Sequence, residues 1–197
     1  MASRKRKAEV LEEVQQNGLL LKSVSEDLKS DPEIVLAAVR ADGRALEFAA
    51  EHCKTDRAIV VEAVRQNGCA LRCAAEYCKS DKEVVLEAVK NSEPGRAFRS
   101  LCYAADICKR DKEVVLRAVQ QNGHALLYAA ESCQSDREVV LAAVKQNWEA
   151  LRYAADELLD EASFEPEVRQ RFHFVKVTLL SGRHSYCLYP EYESDTR

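Results

Sequence analysis

The chain reads as an all-α protein, a right-handed α-solenoid of about six 25-residue helix-pair repeats with a short C-terminal β-hairpin. Three observations lead there. A segment spelled Asp-x-Glu-Val-Val-Leu-x-Ala-Val, then a polar turn ending in Gly, then x-Ala-Leu-x-Tyr-Ala-Ala-Glu-x-Cys-Lys, recurs along most of the 197 residues. Its leading aspartates, Asp31, Asp56, Asp81, Asp111 and Asp136, are spaced by 25, 25, 30 and 25 residues, and self-similarity at a short fixed period marks stacked supersecondary units. Within each segment the apolar residues return at helical spacing.

Residues 1–5 form a basic flexible end, and the cluster Arg4, Lys5, Arg6 and Lys7 reads as a solvated tail rather than an address or membrane contact. The array spans 6–160, with units at 6–30, 31–55, 56–80, 81–110, 111–135 and 136–160. The first unit is degenerate, although Val10, Leu11 and Val14 and the turn Gln15-Gln16-Asn17-Gly18 still follow the pattern.

In the first helix of a unit, Ile34, Val35, Ala38 and Val39 make one buried stripe. In the second, Ala45, Leu46, Ala49, Ala50 and Cys53 share a face, with Glu47 and Glu51 on another. Ser30-Asp31-Pro32-Glu33 supplies a side-chain acceptor for orphan amides, a proline suited to the first turn and a carboxylate favourable to the helix dipole. Because the flanks have helical period, Gly18, Gly43, Gly68 and Gly123 are expected as left-handed stops after the first helix, with Trp148 standing in their place in the sixth unit. A single unit buries too little apolar surface to offset its conformational entropy, so stacking is obligatory.

The fourth unit carries five extra residues around Asn91-Ser92-Glu93-Pro94-Gly95, which read as a loop at the edge of the stack and a candidate contact point or a neutral insertion. After Asp160 the repeat decays. The tail, 161–197, reads as a linker and a β-hairpin, with Val175, Val177 and Leu179 alternating before a Ser181-Gly182-Arg183 turn.

The formal net charge of −4 disfavours binding to a phosphate backbone. No apolar run approaches the ~20 residues of a membrane span, and no secretory stretch opens the chain. The expected location is the cytoplasm, with the nucleus as a variant, and the expected state is monomeric. Cys53, Cys78, Cys108 and Cys133 recur at one position where the terminal units have Leu28 and Leu158, so they read as small buried hydrophobes rather than disulfide partners.

No phosphate loop, Cys-x-x-Cys, His-Glu-x-x-His or Gly-x-Ser-x-Gly interrupts the repeats, so no catalytic residue, cofactor or metal is expected. Cys69, Cys73 and Cys78 are close in sequence, but Cys73 replaces aromatic residues of neighbouring units and Cys78 belongs to the buried column. The cations Arg40, Arg65, Lys90 and Lys145 complement helix C-termini, while Glu51, Glu76, Asp106, Glu131 and Asp156 form an acidic row; the default reading is a solvated, salt-bridged face, with pairing of the two rows across units as one form of it. The candidate partner-binding residues are the aromatics Phe48, Tyr103, Tyr128 and Tyr153, joined by Trp148, which either fill the edge of the core or line a groove for a peptide or helix.

The units opening at Asp81 and Asp111, each leading to Ala104-Ala105-Asp106 or Ala129-Ala130-Glu131, resemble the repeats of the domain of unknown function family 4116 over about residues 6–160. The resemblance implies a helical repeat array, common in microbial eukaryotes and some bacteria, with no established activity. Phe174–Arg183 is similar to the opening hairpin of ubiquitin-like domains. The function expected is a non-enzymatic protein or peptide-binding scaffold or adaptor. The alternatives are an RNA-binding helical repeat protein, disfavoured by the charge, and a non-catalytic fragment of a larger multidomain protein.

Overall fold

Five aspartates start five helices. Asp31, Asp56, Asp81, Asp111 and Asp136 have extended backbone, and each carboxylate accepts from the amide two residues on, at 2.8–3.0 Å. These are the caps expected from the sequence, and they position helices α3 (Pro32–Ala41), α5 (Arg57–Gln66), α7 (Lys82–Lys90), α10 (Lys112–Gln121) and α12 (Arg137–Gln146). The computed structural model describes the backbone of residues 2–92, 97–155, 158, 172–178 and 184–190. Within it α1 (Ala2–Gln16) opens the first unit.

α3, α5, α7, α10 and α12 bury the same four positions, Ile34, Val35, Ala38 and Val39 in α3 and Val114, Val115, Ala118 and Val119 in α10, whereas α1 buries two of them, Val10 and Val14. α1, α3, α5, α7, α10 and α12 pack in that order, each chiefly against its predecessor and successor. The core is therefore one continuous cluster running from Val10 to Leu151, as expected of a repeat array.

The second half of the unit departs from the helix pair. It is a six-residue 3₁₀ helix followed by a short α-helix: Gly43–Phe48 then α4 (Glu51–Lys54), Gly68–Cys73 then α6 (Glu76–Ser80), Gly123–Tyr128 then α11 (Glu131–Gln134). The first unit matches, with Gly18–Ser23 and α2 (Glu26–Lys29), and the last described 3₁₀ segment is Trp148–Tyr153. Two extended alanines separate the parts, Ala49 at φ −70° and ψ 151° and Ala50 at φ −64° and ψ 156°. The reason lies in the neighbouring unit. Ala50 N–H donates to Lys29 O, and Ala75, Ala105, Ala130 and Ala155 donate likewise to Lys54, Lys79, Lys109 and Gln134 at 2.9–3.1 Å. A continuous helix would turn those amides inward, and an inter-unit hydrogen bond would be lost.

The glycines also differ from expectation. None of Gly18, Gly43, Gly68 and Gly123 has a left-handed φ. Each opens the 3₁₀ segment after an extended Asn or Asp whose side chain accepts from the amide two residues on. What requires glycine is close approach: a Cβ would drive into the carbonyl oxygen of Ala38, Ala63, Ala88 or Ala143 in the next unit's first helix.

The fourth unit replaces the 3₁₀ helix with α8 (Ala97–Tyr103), followed by α9 (Asp106–Lys109). Ser100, at the position of Ala45, is buried and donates to Ala88 O at 3.2 Å, while Ser92 donates to the same oxygen at 2.9 Å. Of the insertion expected here, residues 93–96 lie outside the described residues, as does the linker 161–171. Further on, β1 (Phe172–Thr178) and β2 (His184–Pro190) are paired antiparallel, with Phe172 opposite Pro190, and their intervening turn is outside the described residues.

The cysteine column is buried and all four thiols are free. Cys53, Cys108 and Cys133 donate to the carbonyls of Ser30, Ser80 and Arg110 in the preceding unit, at 3.9, 3.4 and 3.5 Å. Burial pushes these thiols and that of Cys78 up, away from the reactive thiolate. They act as small apolar fillers with a weak donor aimed at the adjoining unit.

Candidate functional site

The repeat register carries the aromatic row onto one line. Phe48, Tyr128 and Tyr153 end their 3₁₀ segments and Tyr103 ends α8, with Cys73 at the same place in the third unit. Successive 3₁₀ segments pack on one another, with α8 taking the fourth place. The four aromatics are half-buried, one side against the core and the other open. Each ring is thus only partly taken up in filling the edge of the core.

Charged neighbours attend this row. Lys22 Nζ lies 5.8 Å from the Phe48 ring centre and the Arg152 guanidinium 5.6 Å from that of Tyr153. His124 meets Tyr153 edge-on at 6.0 Å, and its Nε2 lies 2.9 Å from Asn147 Nδ2 and 3.6 Å from Glu149. Arg72 bridges to Glu47 at 3.2 Å across units. Trp148 is not part of the row. It begins the segment that Tyr153 ends, standing half-buried in the glycine column.

A second surface belongs to the first helices. Leu11, Leu36, Val61, Leu86, Leu116 and Leu141 form a half-buried column beside the core, and shallow clefts open between neighbouring helices. The cleft between α1 and α3 encloses about 390 Å³ over Leu11 and Leu36, that between α7 and α10 about 330 Å³ over Leu86, and that between α10 and α12 about 400 Å³ over Leu116 and Leu141. Sequence reasoning missed this surface. The available signal was an apolar residue five positions after every leading aspartate, beyond what a single buried stripe needs.

Among the described residues the cationic row does not pair with the acidic row. Arg40 bonds Glu62 at 3.1 Å, and Arg65 reaches Glu62 at 3.0 Å and Glu87 at 3.4 Å, all within the first-helix layer. Glu51 and Asp106 instead pair with Lys54 and Lys109 of their own short helices, at 2.8 and 3.6 Å. A different ladder joins the helix starts. Lys7 meets Asp31 at 2.6 Å, Arg57 meets Asp81 at 2.7 Å, Lys82 meets Asp111 at 2.9 Å and Lys112 meets Asp136 at 2.7 Å.

Asp31, Asp81, Asp111 and Asp136 thus serve both their own helix and the unit before. Partial burial pulls the carboxyls of Asp31, Asp111 and Asp136 upward, but the lysines and capped amides outweigh it and hold them below the usual carboxylate range. At Asp81 the Arg57 guanidinium is the largest cause, and it lowers the carboxyl against the opposing effect of burial.

Among the described residues, no three His, Cys, Asp or Glu side chains gather as a metal site, and no helix is long and apolar enough to cross a membrane. The arrangement offers long repeated surfaces rather than a convergent set of reactive groups.

A family model described as Domain of unknown function (DUF4116) matches three stretches, residues 10–54, 56–107 and 111–159. Each stretch covers two consecutive structural units. No curated protein and no solved structure matches the chain.

Proposed function

The chain belongs to the DUF4116 family, and on that premise we propose that it is a non-enzymatic interaction scaffold or adaptor that presents the side of its helical array to another protein. The observation that carries this reading is the aromatic row Phe48, Tyr103, Tyr128 and Tyr153, held at one repeat position with one side of each ring packed and the other accessible. Rigid, half-buried aromatics contribute contact area at small entropic cost. A continuous core behind them keeps their spacing constant. The finer architecture, a right-handed coil of six units with a C-terminal hairpin, and a monomeric, cytoplasmic protein complete the reading.

Affinity capture with the wild-type chain against a Tyr128→Ala/Tyr153→Ala variant of matched helicity tests it. The same proteins should be recovered specifically by the wild type and lost from the variant. An unaltered set of captured proteins, or a turnover activity abolished by a single-residue change, would remove the proposal. The nucleic-acid reading runs against the net charge of −4, and a salt-steep gel shift with RNA would revive it.

A further inference from the structure

We propose that His124 is a pH-responsive clip between the fifth and sixth units: neutral, it accepts a hydrogen bond from the Asn147 side chain, and on protonation it releases that amide and pairs with Glu149. The clip stands independently of the scaffold reading. It lies where the aromatic row ends, at Tyr153.

The helix cap fixes the tautomer. Asn147 Oδ1 accepts from the Glu149 amide at 3.0 Å, the same bond that Asn17, Asp42, Asn67 and Asn122 make to the amide two residues on. With its oxygen committed there, Asn147 turns Nδ2 toward His124 Nε2, 2.9 Å away. A carboxamide NH2 group only donates, so Nε2 accepts and the ring proton sits on Nδ1. A second proton would have to go on Nε2, aimed at the Asn147 NH2 group. Two donors cannot share that contact. An acceptor is at hand in Glu149, whose carboxylate lies 3.6 Å from the same nitrogen. Because the ring meets Tyr153 edge-on at 6.0 Å, the exchange of partners also reaches the aromatic row.

The His124 side chain is 35% exposed, so it can take up a proton without unfolding, and imidazole is the side chain whose charge changes in the physiological pH range. Four elements pack against Gly123–Tyr128. The segment Trp148–Tyr153 presents Glu149 and Tyr153 to the ring, with Arg152 set over the Tyr153 ring. The charged residue of α8 is Arg99, exposed at the repeat position equivalent to His124. The charges of α10 and α12 lie at the helix starts or, as with Arg117 and Lys145, in the clefts on the first-helix side. Glu149 thus favours the imidazolium and Arg99 opposes it. The imidazole is peculiar to this junction, since Leu19, Arg44, Cys69 and Arg99 hold its position in earlier units.

The test is 15N NMR of the full chain, titrated from about pH 8 to about pH 5. At the alkaline end the neutral ring should carry its proton on Nδ1, and a scalar coupling across the hydrogen bond should link Asn147 Nδ2 with His124 Nε2. Acidification should abolish that coupling and shift the Asn147 side-chain amide with the same midpoint as the imidazole. His124→Gln should leave the Asn147 signal independent of pH over this interval. Glu149→Gln should move the imidazole midpoint to lower pH, because it removes the anion that favours the charged ring. Both replaced side chains are partly open to solvent, and circular dichroism verifies that the array stays folded. A neutral ring protonated on Nε2, an Asn147 amide indifferent to pH, a shift that survives in His124→Gln, or an unmoved midpoint in Glu149→Gln would each overturn the clip.

Discussion

Gly123 and Trp148 occupy the same repeat position, and the contrast between them shows what holds the array together. Both follow an extended asparagine, Asn122 at φ −153° and ψ 113° and Asn147 at φ −150° and ψ 116°, and both open a 3₁₀ segment capped by that asparagine. The turn is the same with the smallest side chain and with the largest. What differs is the next layer. α12 lies against Gly123 so closely that a Cβ would strike Ala143 O, whereas no further first helix follows Trp148 among the described residues. Glycine here is a spacing element between units, and the indole stands where no described helix approaches.

The contrast can be broken directly. Gly123→Trp should have the largest effect, wedging α12 away and lowering stability by about 4 kcal/mol or more, while Trp148→Gly, which loses only half-buried packing, should cost under about 2 kcal/mol. Urea unfolding followed by circular dichroism measures both, and equal losses would show that the turn, not the neighbour, selects the residue. Next in size, Leu126→Ala should cost about 2–5 kcal/mol, because Leu126 is fully buried between layers. The equivalent Leu151→Ala in the last described unit should cost less, since among the described residues a layer packs on only one side of it.

A smaller effect tests the other connection between layers. Asp136→Ala removes both a helix cap and the Lys112 contact and should cost about 1–2 kcal/mol. The capping carboxyls of Asp31, Asp81, Asp111 and Asp136 have lower pKa values in the folded state than in the unfolded chain. Their contribution is therefore complete above the ordinary carboxylate range and disappears as pH falls through their folded values. The urea midpoint of the wild type should drop over that acidic interval, and less steeply in Asp136→Asn. The smallest change is Arg72→Ala, which removes an exposed pair with Glu47 and should shift stability by less than about 0.5 kcal/mol.

Much of the array was legible in the chain. The aspartate caps, the stripe of Ile34, Val35, Ala38 and Val39, and the register aligning Phe48 with Tyr103, Tyr128 and Tyr153 all follow from residues close in sequence. The break of the second helix at Ala49 and Ala50 did not, since nothing local marks two alanines as extended. Their conformation is set by the carbonyl of Lys29 in another unit. The same holds for the candidate surfaces. Repeat alignment found the aromatic row, but the pairing of Arg40 and Arg65 with Glu62 and Glu87 depends on the distance between neighbouring first helices.

By itself the sequence determined the period, the starts of the first helices, their buried stripe and the need to stack, because capping bonds and helical periodicity are relations between residues a few positions apart. The tertiary structure decided that the glycines are close-approach points, that the second helix divides into 3₁₀ and α, that the cysteine thiols reach the preceding unit, and which charges pair. Those outcomes depend on distances between layers some 25 residues apart in the chain, and packing of one layer on the next sets such distances.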